Sequence, residues 1–152
     1  MKTLLNTISL AALFALPLAG VTADPTTQST NQMHKVVFEI AMDGAEKWEA
    51  ALRNVENAQK SLGAKTTTIE VVAHGKGIGM LLATTAAANP EMKATVEKLH
   101  GNGVLFAVCE NTMKKLQITK DLLVPLATTV DSGVSELIRK QEAGYAYIKS
   151  EE

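Results

Sequence analysis

Gly103-Val104-Leu105-Phe106-Ala107-Val108-Cys109-Glu110-Asn111-Thr112-Met113 is the stretch on which the fold reading turns. From 104 to 108 the run is apolar without polar alternation. That pattern reads as a strand buried on both faces, as in a parallel sheet covered by helices on either side. Cys109 closes the run, and the polar Glu110-Asn111-Thr112 leads into a short helix read at about Asn111 to Leu116. A strand ends and a helix begins at the only cysteine in the chain.

Working outward, the flanking segments repeat this alternation. Lys35-Val36-Val37-Phe38-Glu39-Ile40 is short, β-branched and aromatic and stops at Asp43-Gly44, a strand followed by a turn. From Ala45, the residues Trp48, Ala51, Leu52, Val55, Ala58 and Leu62 recur at helical spacing, with Gly63 just past the end as a C-cap. Thr66 to Ala73 reads as a second strand closed by His74-Gly75-Lys76-Gly77, then a short apolar helix at Ile78 to Leu82. Pro90 suits the first turn of a helix running to about Leu99. Beyond Cys109 come a short helix near Asp121, a strand at Leu126 to Val130, a helix from about Gly133 to Glu142, and a last strand from Gly144 to Ile148. Strands alternating with helices over this length imply right-handed crossovers and a three-layer α/β sandwich with five mostly parallel strands. In such sheets ligands and reactive groups gather beyond the carboxyl ends of the strands, where Cys109 falls.

The chain begins with Lys2, an apolar stretch from Leu4 to Leu18 and the small-residue pattern Val21-Thr22-Ala23, which reads as an export signal over residues 1–23. Residues 24–33 are polar and aperiodic and read as a disordered lead-in, leaving 34–152 as a single domain. Without the signal the chain carries 14 basic and 16 acidic side chains, a net charge of −2. This balance supplies no footprint for nucleic acid and no polybasic anchor for a membrane. One cysteine makes no intrachain disulfide, so packing must hold the exported domain together.

The reactivity of Cys109 is then the first functional question. Beside the first turn of a helix it gains thiolate character from unpaired N–H groups, with Asn111 and Thr112 available to cap the helix or hydrogen-bond the sulfur. Lys114 and Lys115 add positive charge one turn on, and Glu110 opposes ionisation. The alternative is a small buried hydrophobe. His74, at the end of the second strand, is placed to orient a ligand or serve as a base; a turn-stabilising role is the simpler reading. If the first strand lies between the second and third, the two residues stand about 10 Å apart, too far for a direct pair. Gly75-Lys76-Gly77-Ile78-Gly79 lacks the spacing of a phosphate-cradling loop and reads as a tight turn, and Asp43 reads as the N-cap of the Trp48 helix. His34, His74 and His100 show no metal-ligand spacing, so neither a metal nor another cofactor is expected.

Three segments, Val71-Val72-Ala73-His74-Gly75, Val104 through Met113, and Leu137-Ile138-Arg139-Lys140-Gln141-Glu142-Ala143-Gly144-Tyr145-Ala146-Tyr147-Ile148, together resemble the DsrE/DsrF-like family, most closely its exported branch. The similarity runs from about Lys35 to Lys149. The resemblance implies a flavodoxin-like α/β fold and assembly into homotrimers or hexamers. It also implies that Cys109 matches the cysteine which, in sulfur-relay members, carries sulfur as a persulfide between donor and acceptor proteins. The expectation is a periplasmic sulfur-handling protein. The alternatives are a small-molecule-binding or oligomeric accessory module with a structural cysteine, and a redox sensor joined by an intermolecular disulfide.

Overall fold

The computed structural model describes residues 33–150. The expected export signal, and the polar lead-in up to residue 32, lie outside the described residues. Five strands, β1 (His34–Ile40), β2 (Thr67–Ala73), β3 (Leu105–Cys109), β4 (Thr128–Val130) and β5 (Ala146–Lys149), form one sheet. Their order is β4-β3-β2-β1-β5, and every strand pair is parallel. The helices are α1 (Ala45–Leu62), α2 (Ala83–Ala88), α3 (Pro90–Gly101), α4 (Glu110–Leu116) and α5 (Gly133–Glu142), with 3-10 turns at Gly75–Leu81 and Lys120–Leu122. The five-stranded α/β sandwich is as expected, while the strand order places β2, and not β1, beside β3.

The order follows from the handedness of the connections. From β1 to β4 the chain moves across the sheet in one direction, so right-handed crossovers lay all the intervening helices on one face. There Trp48, Leu52 and Val55 of α1, Met92, Val96 and Leu99 of α3, and Met113 of α4 pack on Val36, Phe38, Ile40, Ile69, Val71, Phe106 and Val108. From β4 the chain returns past β1 to the far edge, and the reversal sends α5 to the opposite face.

Local chemistry departs from the sequence reading at a few points. The helix expected at Ile78 to Leu82 is the 3-10 turn Gly75–Leu81, and α2 was not foreseen because its Ala-Thr composition carries little periodicity. The turn presses on the end of β1, where a Cβ on Gly77 would lie 2.0 Å from the carbonyl oxygen of Ile40. The N-cap of α1 is Gly44, with no side-chain hydrogen bond. Asp43 instead pairs with Lys76 at 3.3 Å, tying the β1 turn to the 3-10 segment.

On the α5 face the buried apolar cluster contains only Val37, Val72, Ala107 and Leu137. Charged groups complete the docking. Lys140 of α5 forms an ion pair with the buried carboxylate of Glu70 on β2 and approaches Glu136 at 3.5 Å. Its Nζ lies 5.1 Å from the centre of the Tyr145 ring. Burial pushes the Glu70 carboxyl above the usual range, with Lys140 pulling it back only in part. Breaking a buried pair costs about 3–5 kcal/mol, and partial exposure of Lys140 reduces this to about 2 kcal/mol. Lys140→Met should therefore lower stability by about that amount at neutral pH, measured by urea unfolding. A carboxyl whose folded pKa is raised costs no stability below its unfolded pKa and most above its folded one, so the deficit should shrink as the pH falls through the raised folded value towards the unfolded ~4.3 and be gone below it.

Candidate functional site

Cys109 ends β3 at the point where neighbouring strands send their helices to opposite faces, α4 following β3 and α5 following β4. Such a reversal opens a crevice at the carboxyl edge of a parallel sheet. Strand alternation assigns the side chain to a face: Phe106 and Val108 belong to the larger core, Ala107 to the α5 cluster, and Cys109 therefore faces α5. The residue is only 5% exposed.

Burial alone pushes the thiol pKa up. Hydrogen bonds to the sulfur from the Thr112 hydroxyl, and from the N–H groups of Gly133, Thr112 and Asn111, outweigh it and hold the pKa below the ordinary thiol value. These donors come from the starts of two helices, because Cys109 is itself the N-cap of α4 and Gly133 is the first residue of α5. The Thr112 oxygen accepts the Gly75 N–H at 3.2 Å, which leaves the hydroxyl proton for the sulfur. The Asn111 N–H also donates to the Asp131 carbonyl at 3.3 Å, so its share in the sulfur is divided.

Thr112 therefore acts through both its side chain and its N–H, whereas Asn111 is exposed and acts through its backbone alone. The expected charge effects at the helix start take another form. Glu110 turns away to the Thr129 hydroxyl at 2.8 Å and Lys120 at 3.2 Å, while Lys114 acts on Glu110. Dipolar groups, more than lysine charges, shape the sulfur's surroundings.

His74 stands next to Cys109. Ala73 pairs with Val108, and the chain stays extended through His74, so the next residues on the two strands are neighbours about one strand spacing of ~4.8 Å apart. The longer separation considered from sequence required β1 between them. Gly133 packs into this junction: a Cβ there would lie 3.0 Å from His74 Cβ and 3.3 Å from Cys109 Cβ. The absence of a side chain lets α5 bring its N–H to the sulfur.

Beyond His74 the polar row continues across the sheet. His74 Nε2 lies 2.6 Å from Glu39 Oε1 on β1, and the Tyr147 hydroxyl of β5 donates to Glu39 Oε2. Tyr147 of β5, Glu39 of β1, His74 just past β2 and Cys109 of β3 thus follow one another across neighbouring strands. Glu39, Tyr147 and Gly133 escaped the sequence reading. Alternation within β1 groups Glu39 with Val37, but only the strand order shows that His74 is its neighbour. Among the described residues, no cluster of three His, Cys, Asp or Glu side chains is arranged to hold a metal ion.

A parallel α/β sandwich with one hydrogen-bonded cysteine at the carboxyl end of β3 defines a class of small thiol-bearing proteins. The chain belongs to the DsrE/DsrF-like family, whose model matches residues 34–150. That family is associated with sulfur relay in general. A protein of unknown function from Methanobacterium thermoautotrophicum, MTH1491, is 33% identical with a TM-score of 0.69, covering 76% of this chain and 98% of its own. The ychN protein of E. coli is 14% identical with a TM-score of 0.61, covering 78% and 98%. BT1422 of Bacteroides thetaiotaomicron, also of unknown function, is 11% identical with a TM-score of 0.57, covering 76% and 93%. The last two show likeness of fold alone. No match was found among curated proteins.

The donor set yields a direct test. A hydrogen bond to a charged group contributes ~1.5 kcal/mol or more, and one pKa unit corresponds to ~1.4 kcal/mol. Thr112→Val should raise the midpoint of the iodoacetamide-labelling pH profile by about one unit. Because the folded thiol ionises below the unfolded one, the stability it contributes is present above the unfolded value of ~8.5 and is lost as the pH falls through the folded value. Wild type should therefore gain stability over Thr112→Val as the pH rises through that window.

Proposed function

We propose that this protein is a periplasmic sulfur carrier in which Cys109 accepts sulfane sulfur, holds it as a persulfide and passes it to an acceptor thiol. The convergence of the Thr112 hydroxyl and three N–H groups on the sulfur carries the reading, because the nucleophile in such exchange is the thiolate. Family membership supports the substrate class. The charge, apolar core and small-residue pattern of residues 1–23 supports export.

The chemistry balances without a redox cofactor. The Cys109 thiolate attacks the outer sulfur of a persulfide or polysulfide donor, one S–S bond forms as another breaks, and the rest of the donor leaves as a thiolate or a shorter polysulfide anion. Delivery repeats the exchange in the other direction. Intact mass after incubation with polysulfide should show the gain of one sulfur atom in wild type and none in Cys109→Ser. An unmodified wild type, or an adduct retained in the serine variant, sinks the proposal.

The low exposure of Cys109 favours a second reading, an accessory or small-molecule-binding module in which the thiol is structural. On that reading Cys109→Ser loses stability and the labelling midpoint is that of an ordinary thiol, near ~8.5.

The proposal includes self-association as a homotrimer or hexamer. Val134 and Ile138 are exposed one turn apart on α5, and Leu105 is exposed on the same side of the sheet, where the apolar cover is thin. Sedimentation of the protein should give a trimer or hexamer, and Ile138→Lys should shift it towards monomer. Wild type sedimenting as a monomer refutes the assembly.

A further inference from the structure

We propose that His74 accepts the proton of the incoming acceptor thiol during sulfur delivery, and that Glu39 and Tyr147 are positioning residues that hold its ring for the task. The inference rests on the sulfur-carrier reading of Cys109. It rests equally on the polar row, which the persulfide chemistry by itself leaves unused.

Glu39 fixes the tautomer of His74. Burial raises the carboxyl's pKa, but the Tyr147 hydroxyl, His74 and the charge of Lys149 outweigh it, so Glu39 is held ionised. An ionised carboxylate only accepts hydrogen bonds, so at 2.6 Å the His74 Nε2 must carry the proton. In the neutral ring the free lone pair is then on Nδ1.

The ring is better placed than the sulfur to meet an incoming molecule, since His74 is half-buried and Cys109 buried. Glu39 of β1 contacts the ring, and Gly133 of α5 packs where His74 meets Cys109; Tyr147 and Lys149 of β5 act on Glu39, Lys76 is engaged with Asp43, and Thr112 accepts the Gly75 N–H. The carboxylate in contact with the ring, Glu39, is the one that orients it.

Delivery then proceeds with every atom placed. The acceptor R–SH gives its proton to His74, and its sulfur bonds to the outer sulfur of Cys109–S–SH. The old S–S bond breaks with its electron pair on Cys109, where Thr112, Gly133 and Asn111 receive the returning thiolate. The products are R–S–SH, the Cys109 thiolate and protonated His74, with no net oxidation. A base is needed because free thiols ionise only near ~8.5 and are mostly protonated at neutral pH.

The test starts from protein loaded with polysulfide and follows loss of the extra sulfur to glutathione by intact mass, from about pH 6 to about pH 9. His74→Gln should slow delivery about 100-fold near neutral pH. The deficit should close as the pH passes the acceptor's own pKa, where the thiol ionises unaided. Glu39→Gln keeps the shape of the row and leaves His74 in place; by loosening the hold on Nε2 it should give a smaller loss that closes over the same rise in pH. Variants that follow wild type at every pH, or a deficit independent of pH, overturn the role of His74. Wild type that never loads sulfur overturns the carrier reading instead.

Discussion

Right-handed crossovers place each helix on the face set by the direction in which the chain moves across the sheet. Four strands laid down in one direction put α1 to α4 on one side, and the single return to β5 puts α5 on the other. Everything around Cys109 depends on that reversal. It separates the helix after β3 from the helix after β4, and the sulfur lies between their starts. Gly133 gives the second helix the room to approach, and a methyl group there would press on both His74 and Cys109.

The thiol sits at a balance of opposing effects. A sulfur this buried ordinarily stays protonated, since ionisation in an apolar site is penalised. Here oriented dipoles replace the solvent that burial removes, and most of them are backbone N–H groups left unpaired by helix geometry. Such donors are already in place before any reaction and need no charged side chain in the crevice. A separate ion pair on the α5 face, Glu70–Lys140, compensates for a small apolar cluster.

Much of the architecture was legible in the chain. The bounds of α1 and α5, the end of β3 and the alternation of strand with helix follow from periodicity and capping residues, because these are local signals. The placement of Cys109 at a strand-to-helix junction was legible for the same reason. What periodicity does not contain is strand order. With β2 beside β3, His74 moves from a remote position to a neighbouring one, and Glu39 and Tyr147 join it from strands that precede and follow it in sequence. The charges at Glu110 and Lys114 were misassigned because a helix start fixes where backbone groups point, while long side chains turn to whatever partner lies within reach.

The hydrogen bonds of the polar row join residues 35 and 108 positions apart, and the donor at Gly133 comes from the return crossover that closes the sheet. These are contacts of long sequence separation, which form only when the chain has largely folded. An unfolded or partly synthesised chain consequently carries an ordinary, weakly ionised thiol. Thr112 and Asn111 are local to the sulfur, but Gly133 reaches it only with the return crossover, so the full donor set around Cys109 belongs to the completed tertiary structure.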